Sequence, residues 1–286
     1  MSRYYVDQED LQEMGRLLKQ SFYLMRMFGG ILSERPDLAG IHRILDIACG
    51  PGQWATEVAR KHPSVEVRGM DLSRRMIDFA SAKALQDGVD NVSFEVADAT
   101  QLPLPYKDHS FDLVNASLIY AFMTRDLWPR FIKDCWRIVR PGGYLRVIQE
   151  DANILTNSPA MHQYHVLGSL ALQRAGSSFY GDQLGVNPRL PGMFERAGFT
   201  IRSEKHHIID VSYGTEGYRV ALEDYRVLLA NLRSFLVKWG VATAEEANAC
   251  YQQFLTEMRN GIDLGGGIID PFRGWWHFYS IFGERV

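Results

Sequence analysis

Ile44-Leu45-Asp46-Ile47-Ala48-Cys49-Gly50-Pro51-Gly52, followed by Gln53-Trp54-Ala55, is the stretch on which the fold turns. Ile44 to Ile47 are apolar apart from Asp46, a pattern that suits a short buried strand. Gly50 and Gly52 permit a sharp turn and close backbone approach, and Gln53–Arg60 reads as a helix. Strand, glycine turn and helix N-terminus together form a cradle of backbone N–H groups. Gly50-Pro51-Gly52-Gln53-Trp54-Ala55 also fits the dinucleotide-binding spacing, with Ala in the third small position. A turn that merely packs helix on strand would use the same glycines. Asp46 discriminates among ligands: a carboxylate at the strand end repels a pyrophosphate and attracts positive charge in a partly desolvated cleft.

S-adenosylmethionine meets that demand, with an ammonium and a sulfonium on its methionine half and no phosphate. Here the chain resembles the class I S-adenosylmethionine-dependent methyltransferases, whose first motif looks like Asp46-Ile47-Ala48-Cys49-Gly50-Pro51-Gly52. The resemblance implies a Rossmann-like, doubly wound α/β fold, with seven mostly parallel strands and an antiparallel last strand. It also places Asp46, Ala48, Gly50 and Gly52 at the cofactor.

Working outward, Val65–Met70 reads as a second strand ending at Asp71, 19 residues beyond Gly52. A strand-end carboxylate at that distance grips ribose hydroxyls, both of which can donate to it. Asp71-Leu72-Ser73 equally suits an N-cap for a helix over Leu72–Leu85. Val92–Val96 makes a third strand, followed by Asp98-Ala99. In the family an Asp at this point accepts from the adenine amino group, and the next backbone N–H meets the ring. Leu72 belongs to the same set of cofactor positions. Leu102-Pro103-Leu104-Pro105 and Phe111-Asp112-Leu113-Val114 extend the likeness, with Phe111–Asn115 as a fourth strand and Asp112 structural. Asn115 is a candidate to hold the methionine ammonium through its main-chain carbonyl. Arg140-Pro141-Gly142-Gly143 reads as a turn between a helix over Leu127–Val139 and a fifth strand over Tyr144–Ile148.

The chain is read as a single methyltransferase domain, with a cofactor-binding core over residues 41–150. The segment before residue 40 contains a helical pattern over residues 7–28 and caps that core. Residues 150–187 break the alternation and read as an insertion over the strand ends. A helix over Arg189–Gly198 and a sixth strand over Phe199–Glu204 follow. Helix then dominates 215–261, and Trp276–Phe282 supplies the last strand. The two insertions and the leading helix carry Tyr5, Tyr23, Tyr164, His165, Phe179 and Tyr180. With Tyr120 they predict a largely enclosed pocket for an apolar or aromatic small molecule.

Composition narrows the classes. A formal charge of −3 on 286 residues gives no basic field for nucleic acid. Cys49, Cys135 and Cys250 are odd in number and form no CxxC pair, which argues against a disulfide framework or a zinc site and for a reducing cytoplasm. The opening residues carry no apolar signal core, and no apolar run reaches membrane-spanning length.

Methyl transfer is an in-line displacement, helped by alignment and by exclusion of water. A base assists where the acceptor must lose a proton. Tyr120, Glu150 and His165 are the catalytic candidates, with Asp151, His206 and His207 as further titratable groups. His162 and His165 share a helical spacing but lack the further ligands a metal needs. His165 is the favoured base; the competing role for its segment is packing, as in a homodimer interface. Two other functions fit part of the pattern: a nicotinamide-dependent oxidoreductase, and a relative that binds S-adenosylmethionine without transferring its methyl.

Overall fold

The computed structural model describes residues 11–34, 37–150, 155–180, 184–263, 265 and 267–286. In chain order the elements are α1 (Leu11–Met27), β1 (Arg43–Ile47), α2 (Gln53–Lys61), β2 (Glu66–Asp71), α3 (Arg74–Gln86) and β3 (Val92–Val96). They continue with β4 (Phe111–Ser117), α4 (Leu127–Ile138), β5 (Val139–Glu150), α5 (Pro159–Arg174) and α6 (Leu190–Ala197). The last are β6 (Phe199–Asp210), α7 (Glu216–Lys238), α8 (Ala244–Asn260) and β7 (Gly274–Arg285).

Strands lie in the order β3-β2-β1-β4-β5-β7-β6. The first five are parallel, and β7 is antiparallel to both β5 and β6. Leu155–Thr156 adds a two-residue eighth strand beside Gly274 and Trp275. Strand order reverses between β1 and β4, and in such sheets the crevice beyond that point is where ligands bind. The buried run Ile44, Leu45, Asp46, Ile47 explains why β1 lies in the interior, because both faces of a parallel sheet are covered. Trp128, Phe131, Ile132 and Cys135 of α4 are buried on one helix face against that sheet.

Several boundaries differ from those expected. Arg140-Pro141-Gly142-Gly143 is no turn before the fifth strand. It lies inside β5 as an irregularity, where pairing with β4 passes from Phe111–Val139 directly to Leu113–Tyr144. Gly142 takes a left-handed φ of 73° there. The third helix begins at Arg74, with Ser73 as its cap: the Ser73 hydroxyl accepts from the Met76 N–H. The sixth and last strands run to 12 residues each, because they pair with one another along most of their length. Residues 215–261 form two helices, α7 and α8, separated by Gly240 at φ 64° and a capping box on Thr243 and Glu246. No helix among the described residues is long and apolar enough to cross a membrane.

Candidate active site

Three neighbouring strands place one polar row at the same register. Asp46 on β1 lies opposite Asn115 on β4, and Asn115 lies opposite Arg146 on β5. All three are buried. Asn115 Nδ2 donates to Asp46 Oδ1 at 2.7 Å, and Arg146 Nη1 donates to Asn115 Oδ1 at 3.2 Å. Arg146 Nε in turn donates at 2.9 Å to Glu34, in the segment after α1. Burial pushes the Asp46 carboxyl up to about 7; the Asn115 hydrogen bond and the Arg146 charge oppose this, and Asp71 adds to it. Glu34 shows the opposite outcome: burial raises its pKa, but Arg146 together with Ser280 brings it below the usual range.

The glycine turn divides its labour. A Cβ on Gly50 would meet no protein atom within 4 Å, and the residue sits at φ 53° with its backbone bordering a cavity. A Cβ on Gly52 would fall 2.6 Å from Phe94 and 2.7 Å from Ala80, so that glycine serves close packing of the turn against β3 and α3. Asp71 ties this region together. Its Oδ2 accepts from the Gly50 N–H and its Oδ1 from the Ser73 N–H, each at 2.9 Å.

The cavity, of about 250 Å³, opens above the carboxyl ends of β1, β4 and β5. It gathers Asp46, Ala48, Gly50, Asp71 and Asn115 from the cofactor set, and Tyr120, Glu150 and His165 from the catalytic set. Gly52, Leu72, Asp98 and Ala99 are not among its walls. Leu72 is exposed, and Asp98 accepts from both the backbone and the hydroxyl of Thr100. Tyr164 borders the cavity, but its hydroxyl is committed to the Ala247 carbonyl at 3.1 Å. Tyr23, Phe179 and Tyr180 lie off the cavity walls; the latter two rings carry the Arg189 guanidinium. Tyr5 and Asp151 fall outside the described residues.

His206 and His207 lie on β6, off the cavity walls, contacting His277 and the Ser280 hydroxyl. His162 points elsewhere on α5, and no metal-ligand cluster occurs among the described residues. The sequence reading missed Arg146, Glu13, Arg16, Asp224 and Tyr225, all of which border the cavity. A signal for Arg146 existed: it is the one charge inside the apolar strand Tyr144-Leu145-Arg146-Val147-Ile148. Glu13 and Arg16 are spaced i, i+3 on the face of α1 that packs inward.

Residues 44–143 match the family model described as a methyltransferase domain. The chain is 32% identical over 180 residues to the ubiquinone/menaquinone biosynthesis C-methyltransferase UbiE of Pseudomonas paraeruginosa, covering 57% of this chain and 68% of that protein. The chain belongs to the class I S-adenosylmethionine-dependent methyltransferases.

The chain is also 38% identical over 119 residues to methyltransferase GfsG of Streptomyces halstedii, covering 41% of this chain and 40% of the relative. Against several such relatives it spans less than half of their length. Its fold is shared with the 4+2 cyclase SpnF, at a TM-score of 0.53 and 19% identity, over 91% of this chain and 80% of the cyclase.

Proposed function

We propose that this chain transfers the methyl group of S-adenosylmethionine to a small, largely apolar or aromatic acceptor. The observation that carries this reading is the continuity of one cavity. Its floor holds Asp46, Gly50 and Asp71, and its walls come from α1, α5 and α7. Family membership supports the cofactor; the apolar walls support the acceptor class.

Residues fit the cofactor on three counts. Gly50 leaves open space where a side chain would otherwise stand. Asp71 sits at the end of β2 on the cavity lining, where its carboxylate would hold ribose hydroxyls as well as the turn. Asp46 and Asn115 lie beside the crevice at the switch point, offering acceptors to an ammonium. When bound, S-adenosylmethionine supplies an activated methyl on a sulfonium. The chain's part is to orient the acceptor in line, keep water out, and accept a proton where the acceptor loses one. His165 on α5 and Glu150 at the end of β5, both on the cavity lining, would accept that proton, with Tyr120 as an orienting group.

Calorimetric titration with S-adenosylhomocysteine tests the cofactor reading, and absence of binding overturns it. Mass spectrometry of products tests transfer. A gain of one methylene supports it, whereas a rearranged product of unchanged mass points to a non-methylating relative.

A further inference from the structure

Helices α1 and α7 run antiparallel, joined at the surface by ion pairs between Lys19 and Glu223 and between Arg26 and Glu216, each 2.5 Å. A third ionic contact between the same helices is turned inward. Arg16 Nε and Nη2 donate to both oxygens of Glu13 at 2.8 and 2.6 Å, and Arg16 Nη1 donates to Asp224 Oδ1 at 2.7 Å. Glu13 is 0% exposed, Asp224 4% and Arg16 8%, and all three border the cavity. Burying such a cluster costs several kcal/mol per ion before its internal attraction is counted, and apolar residues would dock two helices at least as well.

The cluster carries an excess of carboxylate. All three guanidinium nitrogens of Arg16 donate to carboxylate oxygens, and each of those oxygens can accept more than one hydrogen bond. Among the described residues two carboxylates face one guanidinium, so the fully ionised group is one positive charge short. Burial raises the Asp224 carboxyl above its usual range; Arg16 opposes this and Glu13 adds to it. The cavity is also lined by Ser169 of α5, whose hydroxyl is 1% exposed and without a hydrogen-bond partner among the described residues.

Position separates the cluster from the cofactor end. The C-terminal end of α1 lies by the glycine turn, where Trp54 Nε1 donates to the Ile31 carbonyl at 2.8 Å. Arg16 is 12 residues before Phe28, or about 18 Å along a helix. Leu17, Leu24 and Phe28 line the space between.

Resting on the methyltransferase reading above, we propose that Glu13, Arg16 and Asp224 form the distal acceptor subsite, which takes a protonated amino group on an otherwise apolar molecule. The acceptor is then an amine-bearing compound methylated at the end remote from that amine.

The test uses the full chain saturated with S-adenosylhomocysteine and three matched probes: 4-phenylbutylamine, 4-phenylbutanol and 4-phenylbutanoate. Affinities come from ligand-observed NMR titration. The amine is expected to bind about tenfold tighter than the alcohol and further ahead of the carboxylate. Asp224→Asn and Glu13→Gln should each bring the amine to within about threefold of the alcohol, with S-adenosylhomocysteine affinity unchanged. A carboxylate or alcohol that matches the amine overturns the proposal, as does an amine preference that survives in a folded variant. A loss of S-adenosylhomocysteine affinity in those variants also overturns it, because the cluster would then belong to the cofactor's site. Should Asp224→Asn not fold, Glu13→Gln decides. If the wild-type chain fails to bind S-adenosylhomocysteine, the function reading falls, and the amine preference is still measured on the unloaded protein.

Discussion

Ala48 sits at φ 56°, in the left-handed region that disfavours a Cβ. It lies between the buried strand and the glycine turn, so the strain is held by the surrounding fold. Ala48→Gly should therefore raise unfolding stability by about 0.5–1 kcal/mol, because relief of strain exceeds the added freedom of the unfolded chain. Urea denaturation checks this, and a fall in stability would show that the Ala48 methyl makes packing contacts worth more than the strain. Asp71 carries a different load. Its two oxygens already hold the Gly50 and Ser73 N–H groups, so Asp71→Ala frees two backbone donors besides removing the proposed ribose anchor. Loss of S-adenosylhomocysteine affinity of about 1.5–3 kcal/mol is expected, on the scale of hydrogen bonds to charged groups. Equal affinity in the variant would leave Asp71 with the turn alone. Residue types at the turn were legible in the sequence, yet their division of labour was not. Whether a glycine faces a ligand or a neighbouring ring depends on Phe94 and Ala80, which are remote in sequence.

Strands, rather than single residues, assemble the polar row from Asp46 to Glu34. β1, β4 and β5 supply one member each, and the segment after α1 closes the row with Glu34. Because Arg146 and Glu34 are both buried, removing one leaves the other as an uncompensated interior charge. Arg146→Leu should cost about 3–5 kcal/mol of stability, and Glu34→Gln less, since a neutral amide is left in its place. Thermal unfolding of the two variants and the double variant measures the coupling; additive losses would mean that the pair is not a unit. Strand identity through β5 was legible from apolar runs, with Asp46 inside the first and Asp71 and Asp98 marking the ends of the second and third. Lengths beyond it were not. β6 carries Arg202, Glu204, Lys205, His206 and His207 at alternate exposed and half-buried places, so it lacks an apolar run, and its extent is fixed by pairing with β7. The irregularity at Gly142 escaped for a similar reason, because proline and two glycines give the same local signal in a turn and in a bulge.

At the scale of the whole molecule, the Asp46 carboxyl links folding, ligand and pH. In the folded chain it titrates at about 7, and in the unfolded chain in the ordinary carboxylate range. Between those values the folded state holds a proton that the unfolded state has lost, so this group withdraws stability as pH rises through that window. A ligand ammonium held beside Asp46, as proposed, would favour the ionised form and so release that proton on binding. Affinity for S-adenosylmethionine should then rise with pH, by up to about tenfold per unit below 7, and level off above it. Ligand stabilisation follows affinity: a concentration of 100 times Kd adds about 2.7 kcal/mol, so the thermal shift at fixed ligand should grow from about pH 6 to about pH 8. Asp46→Asn removes the titrating group and should flatten both curves while lowering the affinity reached at high pH. Calorimetry in two buffers of different ionisation enthalpy counts the protons released. A count near zero in the wild-type chain, with affinity independent of pH, would mean that Asp46 stays paired with Asn115 alone and never meets the ligand's charge.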